Sequence, residues 1–157
     1  MKRRDWVSGT VFVLVMLLSA GSVGAHCEIP CGIYGDEMRF DMIAEHITTV
    51  EKSMKMIVEL SKDVDANFHQ LSRWITNKEE HASFIQDIVS QYFLTQRVII
   101  VDPGDRDIHE KYVKQIELLH QMLVYAMRAK QSTDLSNVER LRGLLDEFKA
   151  AYLAHKH

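Results

Sequence analysis

Asp41-Met42-Ile43-Ala44-Glu45-His46-Ile47-Thr48-Thr49-Val50-Glu51-Lys52-Ser53-Met54-Lys55-Met56-Ile57 is the stretch that decides the fold. Ile43, Ile47, Val50, Met54 and Ile57 recur at alternating spacings of four and three, the period that lines side chains along one face of an α-helix. Glu45, Lys52, Lys55 and Glu59 fall on the other faces and are expected in solvent. With Gly35 and Asp36 read as the turn and helix start, this first helix extends to about Ser61.

Working outward along the chain, a second helix is expected from about Asp65 to Phe93, burying Phe68, Leu71, Ile75, Phe84, Ile85, Ile88, Val89 and Tyr92. Its apolar stripe is interrupted by Thr76-Asn77-Lys78-Glu79-Glu80-His81, which faces a site, a subunit contact or water. Val98 to Val101 is β-branched, but it runs into the turn signal Asp102-Pro103-Gly104-Asp105 and has no second strand to pair with. It is read as a packed connection. A third helix is expected from about Arg106 to Lys130, burying Ile108, Tyr112, Leu119, Met122, Leu123 and Met127. After the polar break Gln131-Ser132-Thr133-Asp134, which offers N-cap residues, Leu135, Val138, Leu141, Leu145, Phe148 and Tyr152 form the apolar face of a fourth. The two prolines, Pro30 and Pro103, lie outside all of these segments, so no helix interior is broken. The fold expected is all-α, an antiparallel four-helix bundle over residues 36–157.

Upstream of the first helix, Lys2, Arg3 and Arg4 precede an apolar run from Val11 to Leu18 and the small residues Ser22-Val23-Gly24-Ala25. This is the order of an export signal, removed after Ala25 by a signal peptidase. An uncleaved anchor is the competing reading, but the apolar run is well short of the roughly 20 residues that span a bilayer. Arg3-Arg4 also suits a twin-arginine signal. The expected destination is periplasmic or extracellular, with no membrane attachment after cleavage. Residues 26–157 then carry 16 Lys and Arg against 21 Asp and Glu, a formal charge of −5. A general nucleic-acid binder needs a basic footprint, so that class is excluded. An anionic substrate has to be drawn by local charge.

Cleavage after Ala25 makes His26-Cys27-Glu28-Ile29-Pro30-Cys31-Gly32-Ile33-Tyr34 the start of the chain, an N-terminal metal-binding hook over residues 26–34 that holds both cysteines. The free amine of His26 and the deprotonated amide nitrogen of Cys27 close one five-membered chelate ring. That amide and the Cys27 thiolate close a second, and Cys31 supplies a fourth in-plane donor after a turn that Pro30 is suited to fix. The His26 imidazole reaches the axial position. Two nitrogens and two thiolates in a plane point to nickel or copper, whereas zinc prefers a tetrahedron of side-chain ligands. His46, His69, His81, His109, His120, His155 and His157 do not supply Glu-x-x-His on two helices, the arrangement that builds a di-metal site inside a bundle.

His26-Cys27-x-x-Pro30-Cys31-Gly32-x-Tyr34 resembles the hook of the nickel superoxide dismutase family at every fixed position. Arg73, Lys78-Glu79 and Tyr92-Phe93 are similar to that family's second helix, so the likeness extends over residues 26–157. The resemblance implies disproportionation of superoxide to dioxygen and hydrogen peroxide by a nickel ion alternating between divalent and trivalent states. It implies His26, Cys27 and Cys31 as metal ligands, a cis bond before Pro30, Tyr34 over the open axial face as gate or hydrogen-bond donor, and Tyr92 as a second tyrosine near the pocket. It also implies a homohexamer in which neighbouring subunits cover each hook. Where family members steady the axial imidazole with a glutamate and an arginine, the matching positions here are Asp41 and His81. Two other readings stand beside this one. An exported nickel or copper carrier without turnover would use the same hook with nothing posed above it. A structural helical protein would close Cys27 and Cys31 into a small disulfide, as exported proteins commonly do.

Overall fold

The computed structural model describes residues 35–154, so the predicted signal and the hook at 26–34 lie outside the described residues. The described residues are helical, with no strand among them. The helices are α1 (Asp36–Leu60), α2 (Val64–Asp87), α3 (Arg106–Gln131) and α4 (Ser136–Leu153). A 3-10 turn at Ser61–Asp63 joins α1 to α2, and a π-helical segment, Ile88–Arg97, continues α2. None of these helices is long and apolar enough to cross a membrane.

The period read along α1 places its residues correctly: Ile43, Ile47, Val50, Met54 and Ile57 are buried, and Glu45, Lys52, Lys55 and Glu59 are exposed. Asp63 stops the first helix and starts the second. Its backbone leaves the helical region, and its side chain accepts from the Ala66 N–H, satisfying one of the donors that a helix start leaves orphaned. Asp105 does the same for α3 through the Ile108 N–H.

Helix pairing is recorded by polar contacts. Ser53 meets Asn77 and His46 meets His81 between α1 and α2. Gln86 meets the Leu123 carbonyl between α2 and α3, Gln115 the Ala151 carbonyl between α3 and α4, and Arg142 meets Glu51 between α4 and α1. The polar insert Thr76–His81 therefore supplies contacts between helices. Lys78 in particular is buried, and its ammonium donates to the carbonyls of Lys130 (2.5 Å) and Ser132 (3.1 Å) at the end of α3, where carbonyls have no helical partner.

Two expectations for α2 need correction. Phe68 is 71% exposed, and Ile75 and Phe84 are exposed as well. For Phe68 and Ile75 the reason is length: α3 ends level with Lys78, so the first turns of α2 overhang with only the end of α1 beside them. Phe84 lies past that point, exposed with one side of its ring against His46 and His81. The winding also changes where a plain α-helix was expected. Val98 N–H bonds the Phe93 carbonyl five residues back, and Thr95 and Gln96 side chains bond the carbonyls of Ser90 and Gln91. In α3, Ile108 and Met127 are exposed rather than buried. The connection after Arg97 packs only through Val98; Ile99 and Ile100 are 76% and 84% exposed.

The core closes at the end where α1 begins. Phe40, Phe93, Phe148 and Tyr152 form an aromatic cluster with ring centroids 4.9 to 5.9 Å apart, the spacing of offset and edge-on pairs. It underlies the residue by which the hook joins the first helix.

Candidate active site

Asp36, two residues after Tyr34, is a carboxylate only 6% exposed. A buried charge is costly unless it is paired and hydrogen-bonded, and Asp36 has both kinds of partner. Arg97 Nη2 donates to Oδ2 at 3.0 Å, while its Nε lies 2.9 Å from Oδ1 as an ion-pair contact without the alignment of a hydrogen bond. The Tyr92 hydroxyl donates to Oδ1 at 2.6 Å and the Tyr152 hydroxyl to Oδ2 at 3.0 Å. Its place in the first turn of α1 adds the favourable end of the helix dipole.

The π-helical winding makes this cluster. Tyr92 and Arg97 are five residues apart and would stand about 140° from each other on an α-helix of 3.6 residues per turn. The wider i→i+5 turn brings both to Asp36. Arg39 of α1 adds a second cation, its guanidinium carbon 5.0 Å from the centre of the Tyr92 ring, with that of Arg97 at 5.7 Å. Glu37, Asp41 and Lys149 stand at the same end, so it carries charges of both signs, with the two arginines on the Tyr92 side.

Burial, then the Asp36 hydrogen bond and its charge, push the Tyr92 hydroxyl up to about 12. Burial likewise raises Tyr152, and the Asp36 contact raises Arg97. Beside the cluster lies a cavity of about 260 Å³ lined by residues that include Arg97, Tyr112, Gln115 and Tyr152.

Of the residues singled out from sequence, His26, Cys27, Pro30, Cys31 and Tyr34 lie outside the described residues. Tyr92 is buried in the Asp36 cluster. Asp41 is exposed on α1, on the side near Lys149 of α4. His81 meets His46, with Nδ1 to Nδ1 at 3.0 Å and both rings against Phe84. Asp41 and His81 therefore do not meet each other. Sequence reasoning passed over Asp36, Arg97 and Tyr152 as a group. The one available signal was an acidic residue at the helix start, and nothing in it pointed to partners 61 and 116 residues away.

One ring of the His46–His81 pair donates from Nδ1 and the other accepts there, so the accepting ring is bare at that nitrogen. Burial, then the His81 charge, lower His46 from its ordinary value of 6.5, against a smaller raising effect of Glu45. A base lowered in the folded state is protonated first in the unfolded one. Stability is then full above about pH 6.5 and falls as the pH drops below it toward the folded value. Urea unfolding of the wild-type protein at pH 7.5 and 5.5 should show this loss, and a smaller one in His46→Gln. Equal pH sensitivity in the two proteins would remove His46 as its source.

No group of three or more His, Cys, Asp or Glu side chains suited to a metal occurs among the described residues, and both cysteines precede α1. The described residues define an all-helical protein, and both of its cysteines precede α1 in sequence. The profile of nickel-containing superoxide dismutases matches residues 21–156, and the chain belongs to that family. It is an oxidoreductase that uses nickel to convert superoxide to dioxygen and hydrogen peroxide. No curated protein and no solved structure gives a significant match.

Proposed function

We propose that the superoxide dismutase chemistry is carried by the hook, with His26, Cys27 and Cys31 as the nickel ligands. The observation that carries this reading is the distribution of donors: the family match includes the hook, which holds both cysteines, while the described helices offer no metal cluster of their own. The donor set fits the metal. The His26 amine and imidazole, the deprotonated Cys27 amide and the two thiolates would be a donor set that suits nickel. When bound, nickel supplies the one-electron exchange, divalent to trivalent and back, by which two superoxides and two protons become dioxygen and hydrogen peroxide.

The rest falls to this chain's side chains. Cys31 is four residues from Gly35, so chain length alone keeps it within about 14 Å of that junction, at the end of the bundle that carries Tyr92 and Arg39. Tyr34 would act as a gate for the anion, and Pro30 would shape the hook's turn. Asp41 and His81 lie on different sides of α1, so at most one of them supports the His26 imidazole. Arg39 and Arg97 are the cations beside Tyr92 that would meet the anion.

Residues 1–25 act as a signal removed on export to the periplasm or extracellular space, freeing the His26 amine. The contacts between successive helices, and between α4 and α1, support an antiparallel four-helix bundle. Exposed apolar residues at Phe68, Ile75, Ile99 and Ile100 support assembly into the homohexamer. Nothing favours a carrier without turnover.

Metal analysis with N-terminal sequencing tests the reading. The expected result is about one nickel per chain, by the ligand count, on a protein that begins at His26. Zinc or no metal, with Cys27 bridged to Cys31, would sink it.

A further inference from the structure

We infer that Asp36 is a positioning residue for the superoxide chemistry: it takes the hydroxyl proton of Tyr92 as a hydrogen bond, so that Tyr92 faces the site as an acceptor and hands over no proton. The inference deepens the reading that the hook's metal lies near Tyr92, and it rests on that reading.

The argument begins with the carboxylate. Asp36 accepts from Arg97 Nη2 and from the Tyr92 and Tyr152 hydroxyls, with Arg97 Nε 2.9 Å from Oδ1 as an ion-pair contact. Arg97 cannot lose its proton, and its charge beside both carboxylate oxygens favours the ionised acid. An ionised carboxylate only accepts, so the Tyr92 hydroxyl must be the donor. A separation of 2.6 Å is that of a charge-assisted O–H···O⁻ bond. Tyrosine has one hydroxyl proton, and this contact uses it.

Geometry fixes the rest. Tyr92 is 2% exposed, with Phe93 against its ring at 5.1 Å and Arg39 over it at 5.0 Å. Its hydroxyl oxygen keeps lone pairs that accept from a neighbouring donor. The protons consumed in making hydrogen peroxide therefore come from elsewhere, and Tyr92 orders whatever donor meets it. Arg97 and Tyr152 act one step further back by holding the carboxylate. The Tyr92 hydroxyl stays protonated up to about pH 12, so the alkaline limb of activity does not report its ionisation.

Asp36→Asn and Tyr152→Phe, with the wild-type protein as control, decide the matter. Asp36→Asn removes the charge and places an amide against the Arg97 and Tyr152 donors. Its nickel content should stay at the wild-type level while kcat/KM falls about tenfold or more, at the low end of what outer-shell partners of metal sites contribute. Ultraviolet titration of the wild type should show a tyrosine ionising near 12. That step should move down in Asp36→Asn. It should persist in Tyr152→Phe, which keeps the Tyr92 and Arg97 contacts and serves as the readout should Asp36→Asn fail to fold. Wild-type kcat/KM and an unchanged pH profile in nickel-loaded Asp36→Asn would overturn the inference, as would loss of the high tyrosine step in folded Tyr152→Phe. A wild-type protein without nickel sinks the hook reading, and with it the link to the chemistry; the tyrosine titration separately decides the Asp36 contact.

Discussion

A mature chain carrying one extra residue before His26 is expected to lose its nickel site and its superoxide dismutase activity. The added residue converts the His26 amine into an amide, removing a strong neutral donor and displacing the imidazole from its chelate ring. Mutating outer-shell partners costs a metal site roughly 10–100-fold, and removing a direct ligand should cost more, bringing turnover near that of the metal-free protein. The measurement is nickel content and activity of the extended protein beside the protein that begins at His26. Helix content should not differ, because Gly35 separates the hook from α1 and the core lies beyond it. Full activity in the extended protein would show that the amine is not a ligand. On this account processing after Ala25 is a step in building the active site.

What could be read in advance follows from the range of the interactions involved. The proposed hook is a local object: its candidate donors fall within six consecutive residues, His26 to Cys31, so ring sizes and donor softness can be argued from the residues alone. α1 was legible for a similar reason, since its buried face is a repeat of three and four that no partner needs to explain. Phe68 and Ile75 carry the same period, yet they are exposed, because the period says which residues share a face and not whether another helix is long enough to cover it. The π-helical segment left no trace in the periodicity. Its winding serves the meeting of Tyr92 and Arg97 with Asp36, contacts that span 56 and 61 residues. Lys78 shows the same blind spot from the polar side, as a charged residue in an apparent surface insert whose buried role depends on where α3 ends.

Phe93→Ala is expected to destabilise the protein by about 3–5 kcal/mol, the range for removing a buried phenylalanine, against a total stability on the order of 5–15 kcal/mol. Phe93 is fully buried, and its ring lies 4.9 Å from Phe148, 5.0 Å from Phe40, 5.1 Å from Tyr92 and 5.8 Å from Tyr152. The variant leaves a cavity where α1, the π-helical segment and α4 meet, and these well-packed elements can collapse into it only in part. A fall in Tm of roughly 10–20 °C follows, measurable by calorimetry or circular dichroism. The consequence reaches the site, because two of the four rings that lose contact carry the hydroxyls that donate to Asp36. Surviving folded Phe93→Ala should therefore lose activity at temperatures well below its own Tm, whereas Phe93→Leu, which refills most of the volume, should lose much less stability and keep the tyrosines in place. A cost below about 1 kcal/mol for Phe93→Ala, outside the range for a filled core position, would mean that the aromatic cluster does not hold Tyr92 and Tyr152 against Asp36.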